Sequence, residues 1–388
     1  MARVALAFCA SYADADAAAA AALDLVGAGA LFAPGEKILL KPNLLTGAAA
    51  DSAVTTHPAV FAAVADYLAA HGHGYGNLAF GDSPGHGQPQ DAARACGIAY
   101  AAAARGVRAA DFSGGVTVPY PAGRVAKEFI LAREVPAFDA IVNICKLKTH
   151  MLERITGAQK NLFGCVFGLN KGACHVKYPS AERFAYLLAD LNRFLRPRLH
   201  VMDGVVAMEG NGPQSGTPTP MRVILASTDA VALDTVAASL VYLDPTLVPT
   251  NVIGARCGVG EGDPAKIEVV TADGVLTVDA AQKKYGNPHF DVYRGRADKG
   301  EIKQLRPFRR LLTQKPKIDA KKCVRCGVCV KSCPVKDGAL HFGKDGKPPV
   351  YDYAKCIRCY CCQEMCPKKA IYIHRNPLTK IADLKFKL

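Results

Sequence analysis

Nine of the fifteen cysteines fall within residues 323–366, in two runs that share one spacing. Each run reads C-x2-C-x2-C-x3-C-P, first over residues 323–334 and again, 33 residues later, over residues 356–367. Gaps of two residues let a turning loop present three thiolates to one iron–sulfur cluster, and the fourth cysteine of each run ligates the other cluster. The spacing therefore predicts two 4Fe-4S clusters, one held by Cys323, Cys326, Cys329 and Cys366 and the other by Cys356, Cys359, Cys362 and Cys333.

Zinc is the alternative occupant, since paired C-x2-C spacings also suit tetrahedral zinc sites. Two triple runs, each closed by Cys-Pro, favour clusters because a zinc ion needs only four ligands. Cys361 is a ninth thiol beside a predicted ligand, and it is either a spectator or a ligand. Residues 319–374 resemble the two-cluster bacterial ferredoxins, with a hairpin predicted over residues 341–353 as a modest insertion. This resemblance implies electron transfer.

The chain ahead of the cysteines alternates short apolar runs with helical segments, which predicts an α/β fold with a mostly parallel sheet covered by helices. The fold class is thus an α/β domain plus a small C-terminal ferredoxin-like α+β domain for two clusters. Strands are predicted at residues 4–8, 37–40, 78–80, 140–144, 199–202, 223–226 and 267–270, and helices at residues 17–26, 58–70, 181–194 and 230–241.

Polar residues follow four of these strands. The four segments begin at residues 41, 81, 146 and 203, and each is predicted to be a loop. Because ligand sites in open α/β sheets form beyond the carboxyl ends of strands, we expect the loops to converge on one cleft. The alternative for any one of them is an ordinary turn or a helix cap. Candidate residues for orienting a ligand, cofactor or metal in the cleft are Asn43, Asp82, Glu209 and Asn211.

The stretch at residues 146–177 holds seven Lys and His residues among glycines and apolar neighbours. It is either a solvated basic face or a pocket for an anion, and the glycines favour the pocket. In that interpretation Lys41, Lys148 and Lys160 hold an anionic group and His150 supplies a proton. His150 is equally compatible with a metal ligand or a structural histidine.

Several of these segments together carry a resemblance to the family catalogued as domain of unknown function 362, across roughly residues 1–260. They are KPNL (41–44), GDSPG (81–85), KLKTH (146–150), TGAQKNLFG (156–164), DGVVAMEGNGP (203–213) and STDAVALD (227–234). Cys145 and Phe167 stand where members commonly have Pro. The family has no general assigned reaction, and its members often carry a C-terminal ferredoxin module. We accordingly expect an α/β domain at residues 1–312, a charged linker at residues 306–317 and a two-cluster domain at residues 313–388.

The net charge of +14 is confined to the last third of the chain. Residues 1–282 hold 22 Lys and Arg against 25 Asp and Glu, whereas residues 283–388 hold 26 against 9. The excess is suited to anionic clusters and to an acidic redox partner such as a ferredoxin or flavodoxin. Nucleic-acid binding is not expected, because no basic stripe is interleaved with aromatic residues.

No signal peptide or membrane span is predicted, since aspartates interrupt the Ala-rich first thirty residues. We expect a cytoplasmic location, where cysteines serve metals or redox chemistry rather than disulfides.

Motifs for nicotinamide binding (G-x-G-x-x-G after a strand), the P-loop and the G-x-S-x-G elbow are absent from the sequence. The leading hypothesis is an oxidoreductase that passes single electrons through the clusters to or from a small, anionic substrate or second cofactor in the cleft. The first rival is a non-catalytic electron-transfer or iron–sulfur delivery protein whose N-terminal domain is a docking body. The second is metal-dependent, non-redox catalysis with structural clusters.

Overall fold

The computed structural model describes residues 1–85, 87–168, 170–295, 314–343 and 346–374. Its contacts divide the chain into two compact units. The sheet unit comprises Met1–Lys171 and Ala181–Val292, and the cysteine unit comprises Gly172–Ser180 and Tyr293–Leu388. The boundary expected between residues 312 and 313 lies outside the described residues.

Twelve strands belong to the described part of the sheet unit. They are β1 (Ala2–Phe8), β2 (Ile38–Pro42), β3 (Leu78–Phe80), β4 (Arg108–Ala109), β5 (Gly115–Pro119), β6 (Glu128–Ala132), β7 (Ala140–His150), β8 (Arg154–Ile155), β9 (Leu199–Glu209), β10 (Thr217–Ser227), β11 (Ile267–Thr271) and β12 (Gly274–Thr277). The main sheet has the order β12-β11-β1-β10-β9-β7-β2-β3-β4, with β8 paired to β7, while β5 and β6 form a separate hairpin. The strands β9, β7, β2, β3 and β4 run parallel to one another, and β10 and β12 are antiparallel to their neighbours. The sheet is therefore mixed and mostly parallel.

Helices cover both faces of this sheet. They are α1 (Ala15–Leu25), α2 (Pro58–Ala70), α3 (Pro89–Ala95), α4 (Ile98–Ala103), α5 (Ala158–Asn161), α7 (Ala181–Leu195), α8 (Ala230–Leu240), α9 (Pro249–Arg256) and α10 (Val278–Tyr285). A further helix, α6 (Asn170–Lys177), has most of its residues in the cysteine unit. Short 3-10 helices lie at Tyr12–Asp14, Ala28–Ala30, Ala50–Ser52, Tyr75–Asn77, Val135–Ala137, Leu162–Cys165, Pro245–Leu247 and Pro264–Lys266.

Strand β1 contributes side chains to two hydrophobic cores, one on each face of the sheet. Successive side chains of a strand point to opposite faces. Ala5 and Ala7 accordingly pack into one core with residues of α1 and α2, whereas Val4 and Leu6 pack into a second core with residues of α8. Burial on both faces explains the continuous apolar sequence of this strand.

The predicted strands and the four predicted helices are present, but several strand ends were predicted wrongly. Lys41 and Pro42, expected in a loop, belong to β2, and β10 begins at Thr217 rather than at residue 223. Residues 146–150 and the segment from residue 203 were expected to be loops, whereas β7 continues to His150 and β9 to Glu209. Lys146 and Asp203 are directly opposite each other in the β7–β9 ladder, so their charges compensate across the strands. Charged residues can therefore continue these buried strands.

The cysteine unit is built from short elements. They are β13 (Lys315–Ile318), α11 (Val328–Lys331), β14 (Leu340–His341), β15 (Val350–Tyr351), α12 (Cys361–Glu364) and β16 (Ile371–His374). Antiparallel pairing joins β13 to β16 and β14 to β15. The second pair confirms the predicted hairpin, of which Lys344 and Asp345 lie outside the described residues. The first pair corrects the linker prediction, because residues 315–317 belong to a strand; residues 306–313 are not described.

Within the described part of the chain, no helix is both long enough and apolar enough to cross a membrane.

Candidate functional site

Two cavities in the cysteine unit are each lined by four cysteines. Cys323, Cys326, Cys329 and Cys366 line the first, and Cys333, Cys356, Cys359 and Cys362 line the second. Each set takes three cysteines from one run and the fourth from the other, as the spacing predicts. All eight are free thiols. Four thiols around each cavity are the donor set that a 4Fe-4S cluster requires, so the residues present fit two such clusters.

The thiols of the first cavity lie close enough to affect one another's ionisation. Burial raises the pKa of Cys329 to about 11, with further contributions from Cys366, Cys323 and Cys326. Iron binds the thiolate, so cluster insertion must displace a proton from this buried thiol. Across the described residues, no group of three or more His, Cys, Asp and Glu side chains is arranged around a single metal ion.

Two contacts to cysteine sulfurs distinguish the cavities. In the first, the backbone N–H of Ala370 donates to Cys366 Sγ at 3.3 Å. In the second, the hydroxyl of Tyr351 lies 3.3 Å from Cys362 Sγ, and it is the donor once Cys362 is a thiolate. Hydrogen bonds to cluster sulfurs are one of the factors that set a cluster's reduction potential. Among the described residues, the second cavity therefore has a side-chain hydroxyl beside a cysteine sulfur, whereas the first has a backbone N–H in that role.

Cys361 lines neither cavity. Its thiol donates a hydrogen bond to Cys359, and this bond lowers the pKa of Cys359. The ninth thiol thus contacts a member of the second cavity's cysteine set rather than belonging to that set.

In the sheet unit, the parallel strands β9, β7, β2 and β3 are neighbours, so their carboxyl ends lie along one edge of the sheet. At this edge the Lys41 ammonium lies 2.9 Å from Asp82 Oδ1 and donates to the carbonyl of Pro42 at 2.7 Å. The second oxygen of Asp82 accepts from the N–H of Leu44 at 2.6 Å. Gly164 packs against this pair so closely that an added Cβ would lie 1.7 Å from Asp82 Oδ1. Lys41 and Asp82 therefore form an enclosed ion pair that joins the ends of β2 and β3.

A second buried ion pair joins β7 to β9. Lys146 Nζ lies 2.8 Å from Asp203 and donates to the hydroxyl of Tyr12 at 2.7 Å. Burial lowers the pKa of Lys146, and the Asp203 carboxylate opposes that shift. The ring of Tyr12 stacks on His57, whose backbone N–H donates to the same carboxylate. The sequence did not identify Tyr12, because nothing in its local pattern indicates a partner on a distant strand.

A chain of buried polar side chains begins at Lys148. Its ammonium donates to Asn43 Oδ1 at 2.8 Å and to the carbonyl of Val54 at 2.6 Å. Asn43 donates to Asn161, Asn161 donates to Asn143 at 2.7 Å, and Asn143 Nδ2 lies 3.0 Å from His200 Nδ1. Lys148 and Asn43 are therefore brought together as predicted, and both also have protein partners.

His150 and Glu153 flank the turn that follows β7. Nδ1 of His150 accepts the backbone N–H groups of Leu152 and Glu153, at 3.2 and 3.0 Å, so a neutral ring carries its proton on Nε2. Glu153 is fully buried, and neither of its carboxylate oxygens has a hydrogen-bond partner among the described residues. Burial raises the pKa of Glu153 to about 8, although Lys160 and Arg154 oppose the shift. Sequence reasoning missed Glu153, since a glutamate followed by an arginine is usually a surface residue.

Lys160 and Lys171 are only partly buried. The described residues give the Lys160 ammonium no hydrogen bond or ion pair, although it is near enough to Glu153 to act on its pKa. Lys171 donates to the carbonyls of Ser83 and Pro84, and desolvation of its ammonium group lowers its pKa to about 7. Of the predicted lysines, Lys160 is thus the one whose charge is not already engaged in this part of the structure.

Glu209 and Asn211 lie at and beyond the end of β9, in a segment that is held to β7 because the Thr149 hydroxyl donates to the carbonyl of Gly210 and accepts the N–H of Gly212. Glu209 accepts the backbone N–H of Asp291 at 2.9 Å. No described contact brings either residue to Lys41, Asp82 or Lys148.

Asp234, on α8, is a buried residue that sequence reasoning did not single out as part of the site. It accepts the backbone N–H groups of Ala158 and Gln159, at 2.6 and 3.1 Å, and so holds the beginning of α5. Burial raises its pKa to about 7. Gly157 allows this approach, since an added Cβ would lie 2.0 Å from the carboxyl. Asp234 therefore positions the helix that carries Lys160.

Comparisons with known proteins agree with the resemblances seen in the sequence. The model of the family described as domain of unknown function (DUF362) matches residues 38–239, and that of a 4Fe-4S dicluster domain matches residues 315–367. A relative, the thylakoid-associated protein sll1697 of Synechocystis sp., is 35% identical over 237 residues, which cover 61% of this chain and 72% of the relative. The dicluster match includes all eight predicted cluster ligands and supports iron–sulfur electron transfer.

Proposed function

This chain belongs to the family of domain of unknown function 362 and carries a 4Fe-4S dicluster domain, and from that premise we propose that it is an iron–sulfur oxidoreductase. It would pass single electrons through the two clusters to or from a small anionic substrate, or a second cofactor, at the carboxyl edge of the sheet. Bound clusters would supply one-electron transfer. The residues of the sheet unit would have to bind the substrate and supply its protons.

Glu153 is the observation that carries the proposal. A carboxyl group buried without a hydrogen-bond partner is costly, and groups with strongly shifted pKa values cluster at functional sites. A pKa of about 8 leaves Glu153 protonated at neutral pH, with a proton that it can give up readily. A substrate gains negative charge with each electron that it accepts, and a proton from Glu153 would neutralise that charge. The same group would take the proton back in the oxidative direction.

Lys160 is the best candidate for holding the anionic group. It acts electrostatically on Glu153, and its charge has no partner among the described residues. Lys41 and Lys148 would instead shape the edge, because their ammonium groups already bind Asp82 and Asn43. His150 would orient the turn that carries Glu153 through its two backbone contacts and would be a second proton donor.

The partner would be an acidic one-electron carrier, such as a ferredoxin or flavodoxin. Residues 316–388 hold 16 Lys and Arg against 6 Asp and Glu. A basic surface speeds encounter with an acidic protein and makes the rate fall with ionic strength. The cytoplasmic location expected from the sequence stays a prediction.

The rival function is a non-catalytic electron carrier or iron–sulfur delivery protein. It is favoured by the internal pairing of Lys41 with Asp82 and of Lys146 with Asp203, because both pairs are enclosed and serve the fold. In that case the sheet unit would be a docking body.

One anaerobic experiment separates the two functions. The cluster-loaded protein is reduced with dithionite, freed of excess reductant and mixed with a panel of small organic carboxylates and phosphates, while the visible absorbance of the clusters is followed. Reoxidation by a panel member, with a reduced product detected by mass spectrometry, supports the oxidoreductase. Rapid electron exchange with ferredoxin but no reoxidation by any compound would favour the carrier.

A further inference from the structure

A cavity of about 420 Å³ lies at the opposite edge of the sheet from the site described above. It is formed where β9 begins and β10 ends, and its lining includes Arg193, Arg196, His200, Thr228, Ala230 and Gly258. This volume is within the range of pockets that hold small molecules. No Asp or Glu is among the described residues that line it.

The two arginines supply positive charge that the described residues do not neutralise. Arg193 lies in the last turn of α7 and Arg196 just beyond it, and neither forms an ion pair in the described part of the chain. Nε of Arg196 donates to the carbonyl of Arg193 at 3.1 Å, which orients the guanidinium while leaving its other N–H groups available. The planar guanidinium fork is suited to carboxylate and phosphate oxygens.

His200 adds a buried donor whose tautomer is fixed by its neighbours. Asn143 Nδ2 donates to the carbonyl of Ala158 at 2.9 Å, so the atom 3.0 Å from His200 Nδ1 is a donor and Nδ1 is the acceptor. The neutral ring therefore carries its proton on Nε2. His200 is only 2% exposed, its Nε2 has no hydrogen bond to any described residue, and the ring lines the cavity. Burial lowers its pKa to about 3, so it remains a neutral donor at physiological pH.

The nearby carboxylate of Asp229 is bound by backbone donors and forms no ion pair with Arg193 or Arg196 in the described part of the chain. One of its oxygens accepts the N–H groups of Val231 and Ala232, and the other accepts the N–H of Glu261 at 2.8 Å. Three backbone donors thus hold this charge against the beginning of α8. The first N–H groups of α8 are thus already occupied by Asp229, and the proposed anion contacts come from the arginines and His200.

We propose that this cavity binds the carboxylate or phosphate group of a small molecule through Arg193, Arg196 and the Nε2–H of His200. The site is separate from the carboxyl edge and does not depend on the proposed oxidoreductase reaction.

Isothermal titration calorimetry on the full-length, cluster-loaded protein tests the proposal, with inorganic phosphate and succinate as the two probes at fixed ionic strength. Saturable binding of one probe at one site per chain is expected, and the probe that binds identifies the anion class. Replacing both arginines, Arg193→Ala with Arg196→Ala, should weaken binding at least tenfold. Arg3→Ala is the matched control, because Arg3 is an exposed arginine paired with Glu268 outside the cavity, and it should bind like the wild type.

His200→Asn is a second variant, which tests the proposal if the double arginine variant does not fold. Asn Oδ1 can accept the Asn143 hydrogen bond in place of Nδ1, but it removes the Nε2–H donor, so several-fold weaker binding with unchanged unfolding is expected. Saturation by neither probe would overturn the proposal. Binding that the arginine and histidine variants leave equal to that of Arg3→Ala would overturn it as well.

Discussion

The Lys41 ammonium and the Asp82 carboxylate lie 2.9 Å apart at the ends of two neighbouring parallel strands, and both side chains are almost completely buried. Each charge is expensive to bury alone, and removing either partner would leave the other uncompensated. The pair is therefore a structural constraint on the edge where the four strand ends meet. Gly164 is part of this arrangement, because a residue without a side chain lets the backbone lie directly against the ion pair.

Gly164→Ala should break this arrangement, because its Cβ would lie 1.7 Å from Asp82 Oδ1 and 2.8 Å from Lys41 Nζ. Overpacking of this kind costs about 1–3 kcal/mol of unfolding free energy. Urea unfolding followed by circular dichroism measures it. Gly76→Ala is the matched control, since no atom lies within 4 Å of an added Cβ there. Equal stabilities of the two variants would show that the close approach is unimportant.

Glu153→Gln should change how stability depends on pH. The pKa of Glu153 is raised from 4.5 to about 8, so the wild type loses stability as the pH rises through this interval, whereas a glutamine does not titrate. The advantage of the variant should grow by up to about 1.4 kcal/mol per pH unit and level off above pH 8. Urea unfolding of both proteins from pH 5 to pH 9 checks this. A constant difference in unfolding free energy would mean that Glu153 has an ordinary pKa.

The cysteine sets can be tested by metal content. Two 4Fe-4S clusters imply about eight iron and eight sulfide ions per chain in the anaerobically reconstituted protein. Cys326→Ala should lose about half of both, because Cys326 lines only the first cavity. Cys361→Ala is its control and should retain both clusters. Stoichiometric zinc without labile sulfide would contradict the cluster assignment.

Tyr351→Phe should lower the reduction potential of the second cluster alone. The hydroxyl, 3.3 Å from Cys362 Sγ, stabilises the extra negative charge of the reduced state. A hydrogen bond worth about 1 kcal/mol corresponds to roughly 40 mV for one electron. Redox titration monitored by electron paramagnetic resonance measures both clusters, and the first serves as the internal reference. Unchanged potentials would show that the hydroxyl does not act on the cluster.

The two cavities group the eight cysteines as the spacing predicts, because cluster ligands are encoded in local spacing. Lys146 and Asp203 were wrongly assigned to loops. They stabilise each other although they lie 57 residues apart in the sequence, and no local pattern reveals such a pair. Short apolar runs identified the central strands, but their charged ends were assigned to loops.

Glu153 shows a further limit of sequence reasoning. Its chemistry depends on complete burial, and burial is a property of the tertiary structure rather than of the neighbouring residues. Lys160 and His150, by contrast, could be selected by residue type and glycine-rich context, although only the structure distinguishes the engaged lysines from the available one.

The most direct test of the oxidoreductase is the rate at which an oxidising compound from the panel reoxidises the reduced clusters in wild type and in Glu153→Gln. If Glu153 donates the proton, the wild-type rate should fall as the pH rises through about 8. The variant should be at least about 100-fold slower, independent of pH over this range, and unchanged in iron content. A Glu153→Gln rate equal to that of the wild type across the pH range would contradict the account.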